Sequence, residues 1–117
     1  MTYKTKKTFE ERQQESNEIL TKYPDRIPII IEKLVNKNDT VIPDIDKNKY
    51  LVPKDLTIGQ LIYVIRKRLK LTAEKAIFVF CSGNILRSDA LISQEYDKYK
   101  DKDGFLYILY SGESTFG

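Results

Sequence analysis

Few side chains in this sequence could carry covalent chemistry. The 117-residue chain contains no histidine and one cysteine, Cys81. This composition excludes a zinc site of the usual Cys/His kind, and it excludes a Ser–His–Asp or Cys–His pair within the chain. The five glycines are scattered and form no phosphate-binding pattern. We therefore expect a binding or modifier protein that is not an enzyme and that uses no metal or cofactor.

The charge of the chain is mildly basic and unevenly distributed. The formal net charge is +3, and basic residues cluster at Lys4, Lys6 and Lys7 and again between Arg66 and Lys70. Such runs are usually solvated surface, and the alternative is attraction to acidic peptides or to an anionic membrane. A nucleic-acid-binding protein would show a stronger basic excess with interleaved aromatic residues. We expect no nucleic-acid partner.

Length and composition indicate one soluble domain. Hydrophobic residues make up 41% of the chain and charged residues 32%, as in an ordinary globular protein. We expect no membrane span, because no apolar run approaches the roughly 20 residues that a bilayer requires, and no secretory signal. A single cysteine forms no internal disulfide, which fits a reducing cytosolic or nuclear compartment.

The apolar patterns predict a helix, two strands, a helix, two strands, a helix and a final strand. Capping boxes at Thr8–Glu11 and Thr57–Gln60 predict helices over 9–22 and 58–69, and Ser88 is the predicted cap of a third helix. Tyr3–Lys7 is interpreted as a helical turn or an arm, and Pro28 as a strand start or an edge position. The predicted strands are Ile27–Ile31, Tyr50–Val52, Ala76–Cys81, Ile85–Leu86 and Phe105–Tyr110. This order predicts an α+β, ubiquitin-like β-grasp with an added N-terminal helical segment.

Several segments resemble one family of ubiquitin-like modifiers. They are Tyr23–Ile30, Asp44–Pro53, Asp55–Gln60, Glu74–Phe78, Asp101–Tyr107 and Tyr110–Gly117. Together they resemble the autophagy-related protein 8 family, which includes microtubule-associated light chain 3 and the GABA-receptor-associated protein. Two loops depart from the family pattern, since Leu34–Ile42 is longer and Ser82–Ser88 lacks paired prolines.

The resemblance implies that the chain is a single ubiquitin-like domain that is conjugated through Gly117. It implies an N-terminal helical extension at 1–24, a β-grasp core at 25–110 and a flexible conjugation tail at 111–117. Gly117 would be joined to phosphatidylethanolamine, and Phe116 would be recognised by a processing protease and by the activating enzyme. The protein would be cytoplasmic, and on the autophagosome membrane when lipidated.

The resemblance also implies a groove that takes a short peptide motif as an added strand. Its aromatic pocket would comprise Ile19, Pro28, Ile30, Lys49, Leu51 and Phe105. Its aliphatic pocket would comprise Tyr50, Val52, Pro53, Leu56, Leu61, Val64 and Ile65. Arg26, Lys47, Lys49 and Arg68 would meet acidic residues of the ligand. The implied partners are activating and conjugating enzymes, a cysteine protease that processes and deconjugates, motif-bearing cargo receptors and the phosphatidylethanolamine membrane, with the protein a monomer in solution.

Two other functions compete with the conjugated modifier. One is an adaptor of the same fold that binds peptides and is never conjugated, and the other is a basic surface protein that binds acidic polymers. Ile77–Val79 fits either a second docking surface or a buried central strand. Cys81 is interpreted as a small buried hydrophobic residue without a catalytic role.

Overall fold

A computed structural model describes residues 2–35 and 42–114 of the chain. Four helices and five strands follow one another in these two ranges. They are α1 (Tyr3–Lys6), α2 (Phe9–Lys22), β1 (Arg26–Lys33), β2 (Lys49–Pro53), α3 (Ile58–Leu69), β3 (Phe78–Cys81), β4 (Asn84–Ile85), α4 (Ile92–Tyr99) and β5 (Leu106–Ser111). The predicted ranges of the two capped helices, 9–22 and 58–69, are confirmed.

The strands form one mixed sheet in the order β2-β1-β5-β3-β4. The central strands β1 and β5 run parallel, and the other neighbours pair antiparallel. Helix α3 connects β2 to β3 and packs on one face of the sheet through Ile58, Leu61, Ile65 and Leu69. Its apolar residues recur at helical spacing, so a single stripe of α3 meets the sheet.

The opposite face of the sheet is covered by the N-terminal helices. A second core cluster there contains Tyr3, Ile30 and Phe105, with Ile19 of α2 and Tyr107 packed against it. Strand β1 is therefore buried on both faces, because Ile29 faces α3 while Ile30 faces Tyr3. A strand covered on both faces needs a continuous apolar run, which explains the sequence of β1.

Helix α2 is attached to the sheet by polar groups as well as by Ile19. Its buried residues are Arg12 and Ser16. The Arg12 guanidinium donates to the buried carboxylate of Asp103 at 2.7 Å, and the Ser16 hydroxyl donates to the carbonyl of the same residue. Gly104 has φ +93°, and a Cβ there would lie 2.3 Å from the Ser16 hydroxyl oxygen. The turn that begins β5 thus requires glycine where α2 crosses it.

Every strand differs from its predicted range by one or more residues, and three differences in element boundaries have a structural explanation. Helix α4 begins at Ile92, after Leu91, and not beside Ser88, because the Ser88 carbonyl accepts a hydrogen bond from Gly59 of α3. Strand β3 begins at Phe78, since its partner Ser111 is the last residue of β5. Ser111 is buried in that strand, so the predicted tail boundary at residue 111 is wrong by at least one residue.

Two open interpretations are decided by the structure. Tyr3 lies in the short helix α1 and is buried, so Tyr3–Lys6 is a helical turn that forms part of the fold. Pro28 is the third residue of β1 and precedes Ile29, the first residue that pairs with β5. The Ile31 amide donates a hydrogen bond toward β2. Because backbone amides point alternately to the two sides of a strand, the nitrogen of Pro28 points toward β5. Pairing with β5 begins only at the next residue, Ile29.

Candidate peptide-binding groove

Among residues 2–35 and 42–114, strand β2 lies at one edge of the sheet and pairs only with β1. The Ile31 amide donates to the Asn48 carbonyl at 2.7 Å, which fixes the hydrogen-bonding phase of this antiparallel pair. In this register, the backbone N–H and C=O groups of Tyr50 and Val52 point toward β1, and those of Lys49 and Leu51 point away from it. The edge therefore offers two residues to which an incoming strand can bond.

An open groove lies between this edge and helix α2. It has a volume of about 530 Å³, and Leu51 lies within it with 37% of its surface exposed. Ile19 supplies a second apolar side chain, and Lys49 stands at the rim. The lining residues are Glu15, Glu18, Ile19, Lys22, Tyr23, Lys47, Lys49 and Leu51. An apolar floor bordered by charges suits an amphipathic peptide.

The structure divides the residues of the predicted aromatic pocket into two layers. Ile19, Lys49 and Leu51 line the open groove. Pro28, Ile30 and Phe105 are buried, and the last two belong to the second core cluster with Ile19. These three residues therefore support the groove from beneath and have no open surface in it.

The residues of the predicted aliphatic pocket do not surround one open cavity. Tyr50, Val52, Leu61 and Ile65 lie in the main core, and Leu56 packs against it. Pro53 and Val64 are exposed, and Val64 lines a separate depression of about 420 Å³ with Asp46, Lys67, Arg68 and Lys70. A ligand can therefore contact the aliphatic side chains of β2 and α3 in two ways. It can separate the strand from the helix, or it can bind to the exposed residues Pro53 and Val64.

The predicted acid-binding cations already have contacts within the chain. Lys49 pairs with Glu15 at 2.5 Å, and Arg68 makes two contacts of 3.1 and 3.2 Å with Asp46. The hydrogen bonds from Arg68 lower the pKa of the Asp46 carboxyl. Lys47 lies 5.2 Å from the centroid of the Tyr50 ring, and Arg26 is half-buried in β1. The Arg68–Asp46 pair is exposed, and exposed ion pairs contribute little to stability, so a ligand carboxylate can replace this pair at small cost.

Four further groove residues, on or just after helix α2, were not among those predicted from the sequence. Glu15, Glu18, Lys22 and Tyr23 line the groove beside Ile19. Their positions fall three to four residues apart around Ile19, which is the spacing of one helical face. That spacing is the signal that could have identified them. The Oε1 atom of Glu15 is buried and has no hydrogen-bond partner in the described part of the chain.

The remaining predicted sites fall in the core or outside the described ranges. Ile77 and Val79 are buried in the main core, and Phe78 is half-buried at the start of β3. Cys81 is buried, and burial raises the pKa of its thiol to about 12. Phe116, Gly117 and the centre of the long loop, residues 36–41, lie outside the described residues.

Sequence comparisons identify close relatives along the whole chain. The family model described as "Autophagy protein Atg8 ubiquitin like" matches residues 11–117. Autophagy-related protein 8a of Arabidopsis thaliana is 56% identical over 116 residues, which cover 99% of this chain and 93% of that protein. Autophagy-related protein 8 of Candida albicans is 55% identical over 115 residues, covering 98% of this chain and 83% of that protein.

Solved structures of similar proteins have the same fold. The crystal structure of Trypanosoma brucei ATG8 superposes with a TM-score of 0.88 at 48% identity, covering 100% of this chain and 98% of that one. Plasmodium falciparum Atg8, solved in complex with a peptide of P. falciparum Atg3, superposes with a TM-score of 0.88 at 32% identity and covers 99% of each chain. The predicted ubiquitin-like α+β fold is thereby confirmed. Within residues 2–35 and 42–114, no helix has the length and apolarity needed to cross a membrane.

Proposed function

Because this chain belongs to the Atg8 family of ubiquitin-like autophagy proteins, we propose that it is a non-enzymatic modifier, conjugated through Gly117 to phosphatidylethanolamine on autophagosomal membranes. The observation that carries the proposal is the family match, which extends through residue 117. The groove beside β2 would recruit motif-bearing cargo receptors to that membrane. The protein would be cytoplasmic before conjugation.

The conjugation would proceed by adenylation of Gly117 and three acyl transfers, on enzymes that this chain does not contain. The Gly117 carboxylate would attack the α-phosphorus of ATP and release pyrophosphate, and a thiolate of the activating enzyme would then displace AMP to form a thioester. A thiolate of the conjugating enzyme would displace that first thiol, and the lipid amine would finally displace the second thiol, leaving an amide. Glycine suits each transfer because its carbonyl has no neighbouring side chain. Phe116 would be the apolar residue that the processing protease and the activating enzyme recognise.

Peptide recognition would use strand addition at β2. The outward backbone groups of Lys49 and Leu51 would bond to the peptide, and Leu51 with Ile19 would receive its aromatic side chain. Lys47, Lys49, Arg26 and Arg68 would attract its acidic residues. The Atg3 peptide bound to the P. falciparum relative supports peptide binding and a link with the conjugating enzyme.

Reconstitution of the conjugation tests this proposal directly. The chain is incubated with activating and conjugating enzymes, ATP and phosphatidylethanolamine vesicles, and its intact mass is then measured. We expect a gain of one lipid, which is lost when Gly117 is deleted and retained in the matched variant Ser114→Ala. No adduct with enzymes that lipidate another Atg8 protein would favour the unconjugated peptide-binding adaptor.

A further inference from the structure

The end of α3 and the end of β5 lie at the same pole of the sheet. Strands β1 and β5 are parallel, with Lys33 opposite Tyr110, and Phe78 at the start of β3 pairs with Ser111. Helix α3 must therefore run from the opposite pole, where β2 ends, back to this one, where β3 begins. The contact of Arg68 with Asp46, just before β2, agrees with that direction. We call this end of the sheet the tail pole, because β5 ends there at Ser111 and the C-terminal residues follow it in the chain.

The last turns of α3 make the tail pole basic. Between Asp55 and Glu74 the chain has four basic residues, Arg66, Lys67, Arg68 and Lys70, and no acidic one. Lys67, Arg68 and Lys70 are exposed, and the connection to β3 adds one acidic and one basic residue, Glu74 and Lys75, whose charges offset each other. The protein's net charge is only +3, so much of its excess of positive charge is concentrated here.

Most of this charge is not neutralised by the fold. Arg66 donates hydrogen bonds to the backbone carbonyls of Thr72, at 2.8 Å, and of Lys75. Carbonyl groups accept these bonds but do not neutralise the positive charge of the guanidinium. Lys67 lies 5.3 Å from the ring centroid of Tyr63, a residue that is 61% exposed. In residues 2–35 and 42–114, only Arg68 among the cations of the last α3 turns pairs with a carboxylate.

We propose that the tail pole, through Lys67, Lys70 and the neighbouring Tyr63, contacts anionic lipid headgroups on the membrane to which the chain is conjugated. This inference rests on the proposed function, because conjugation through Gly117 is what places a membrane at this end. The six residues after Ser111 span at most about 20 Å when extended. A protein tethered so closely samples the membrane continuously, so weak contacts suffice to orient it.

Charge and side-chain chemistry both favour a lipid surface. Each basic side chain near an anionic leaflet contributes roughly a fivefold increase in the docked population, and the attraction decays within a Debye length of about 8 Å at physiological salt. Tyrosine is suited to the headgroup region because its ring is apolar and its hydroxyl is polar. Docking at this pole would leave the peptide groove between α2 and β2 accessible.

The test couples the protein to vesicles chemically, so that it does not depend on conjugating enzymes. Gly117→Cys is joined to a maleimide-bearing lipid, while buried Cys81, with its pKa raised to about 12, stays unreactive at neutral pH. Vesicles contain phosphatidylcholine with or without phosphatidylserine and a paramagnetic headgroup lipid. The measurement is the relaxation enhancement of backbone amides along α3.

We expect strong enhancement over residues 63–70 with phosphatidylserine, and its loss in neutral vesicles or at high salt. Lys67→Gln with Lys70→Gln should lower the docked-to-undocked ratio about 25-fold, from about fivefold for each lysine. The matched control is Lys98→Gln in α4 with Lys100→Gln just after it, where the chain lies beside Phe105 at the opposite pole. This control should dock as the parent does.

Equal enhancement in neutral vesicles, or an unchanged ratio in the Lys67/Lys70 variant, would overturn the proposal. A second contrary outcome is a Lys67/Lys70 variant that docks normally when tethered but is not conjugated by the enzymes. The basic residues would then bind an acidic surface of an enzyme and not the membrane. Failure of the untethered wild-type chain to accept lipid from active enzymes would count against the proposed function and leave the tethered measurement interpretable.

Discussion

Arg12 and Asp103, 91 positions apart in the chain, form a buried ion pair with a separation of 2.7 Å. The same carboxylate accepts hydrogen bonds from the Tyr107 hydroxyl at 2.5 Å and the Phe105 amide at 2.9 Å. The pair thus joins α2 to the beginning of β5. Because α2 carries Glu15, Glu18 and Ile19, this ion pair also positions one wall of the groove.

Removing the charge of Asp103 should destabilise the protein strongly. Asp103→Asn leaves the guanidinium of Arg12 without its buried partner, and breaking a buried pair typically costs about 3–5 kcal/mol. We expect a loss of about 3 kcal/mol in the free energy of unfolding, measured by urea denaturation. Asp97→Asn on the exposed side of α4 is the control and should change stability by less than about 0.5 kcal/mol. Equal stability of the two variants would contradict this role of Asp103.

Local signals in the sequence were sufficient to predict the capped helices. The Thr8 hydroxyl accepts from the Glu11 amide at 3.1 Å while Glu11 accepts from the Thr8 amide at 2.9 Å, and both partners lie within four residues. The attachment of α2 through Asp103 was not predictable in this way. It depends on groups far apart in sequence, and a buried arginine has no periodic signature.

The difference between local and long-range signals also explains which features of the groove were predicted from the sequence. The resemblance placed the groove beside β2, and the structure has its open edge there. It did not distinguish Leu51, which is exposed in the groove, from Tyr50, which alternates to the core face of the same strand. Strand periodicity assigns neighbouring residues to opposite faces but does not say which face a second layer covers. Helix α2 provides that layer.

Leu51 and Tyr50 should therefore separate binding from folding. Leu51→Ala removes an exposed groove contact, so we expect motif-peptide affinity to fall at least tenfold with stability changed by less than about 1 kcal/mol. Tyr50→Ala removes a core side chain, so we expect a loss of about 3 kcal/mol or more in the free energy of unfolding. Calorimetry with a motif peptide and urea denaturation measure the two effects. Unchanged peptide affinity in Leu51→Ala would exclude this groove as the site.

Cys81 should make stability depend on pH in the alkaline range. Burial is the main cause that raises the pKa of its thiol from 9.0 to about 12, so the unfolded chain ionises first. The thiol's contribution is complete below pH 9 and is lost between pH 9 and 12. In that window, wild-type stability should fall faster than that of Cys81→Ala, by up to about 1.4 kcal/mol per pH unit.

Comparison with Cys81→Ala also controls for other groups that titrate in the alkaline range. Half-buried tyrosines such as Tyr107, whose pKa is raised by partial burial and by the hydrogen bond to Asp103, affect both chains equally. Urea denaturation of both chains at several pH values measures the difference in slope. Parallel stability curves above pH 9 would show that the thiol is not protected from ionisation.

The free backbone groups of β2 can be tested apart from its side chains. The Leu51 amide faces the open edge and not β1, so Leu51→Pro should leave the β1–β2 ladder in place, as proline is tolerated on edge strands. It removes the outward donor that an added strand needs. We expect Leu51→Pro to lose more peptide affinity than Leu51→Ala, by about fivefold for one neutral hydrogen bond.

The matched control for the edge is proline at the neighbouring position. The Tyr50 amide faces β1 in this register, so Tyr50→Pro should disrupt the ladder and unfold the protein at lower urea concentration than Tyr50→Ala. Peptide titration of the Leu51 pair and denaturation of the Tyr50 pair complete the test. If Leu51→Pro bound peptide as tightly as Leu51→Ala, the peptide would be held by its side chains alone, and strand addition at β2 would be wrong.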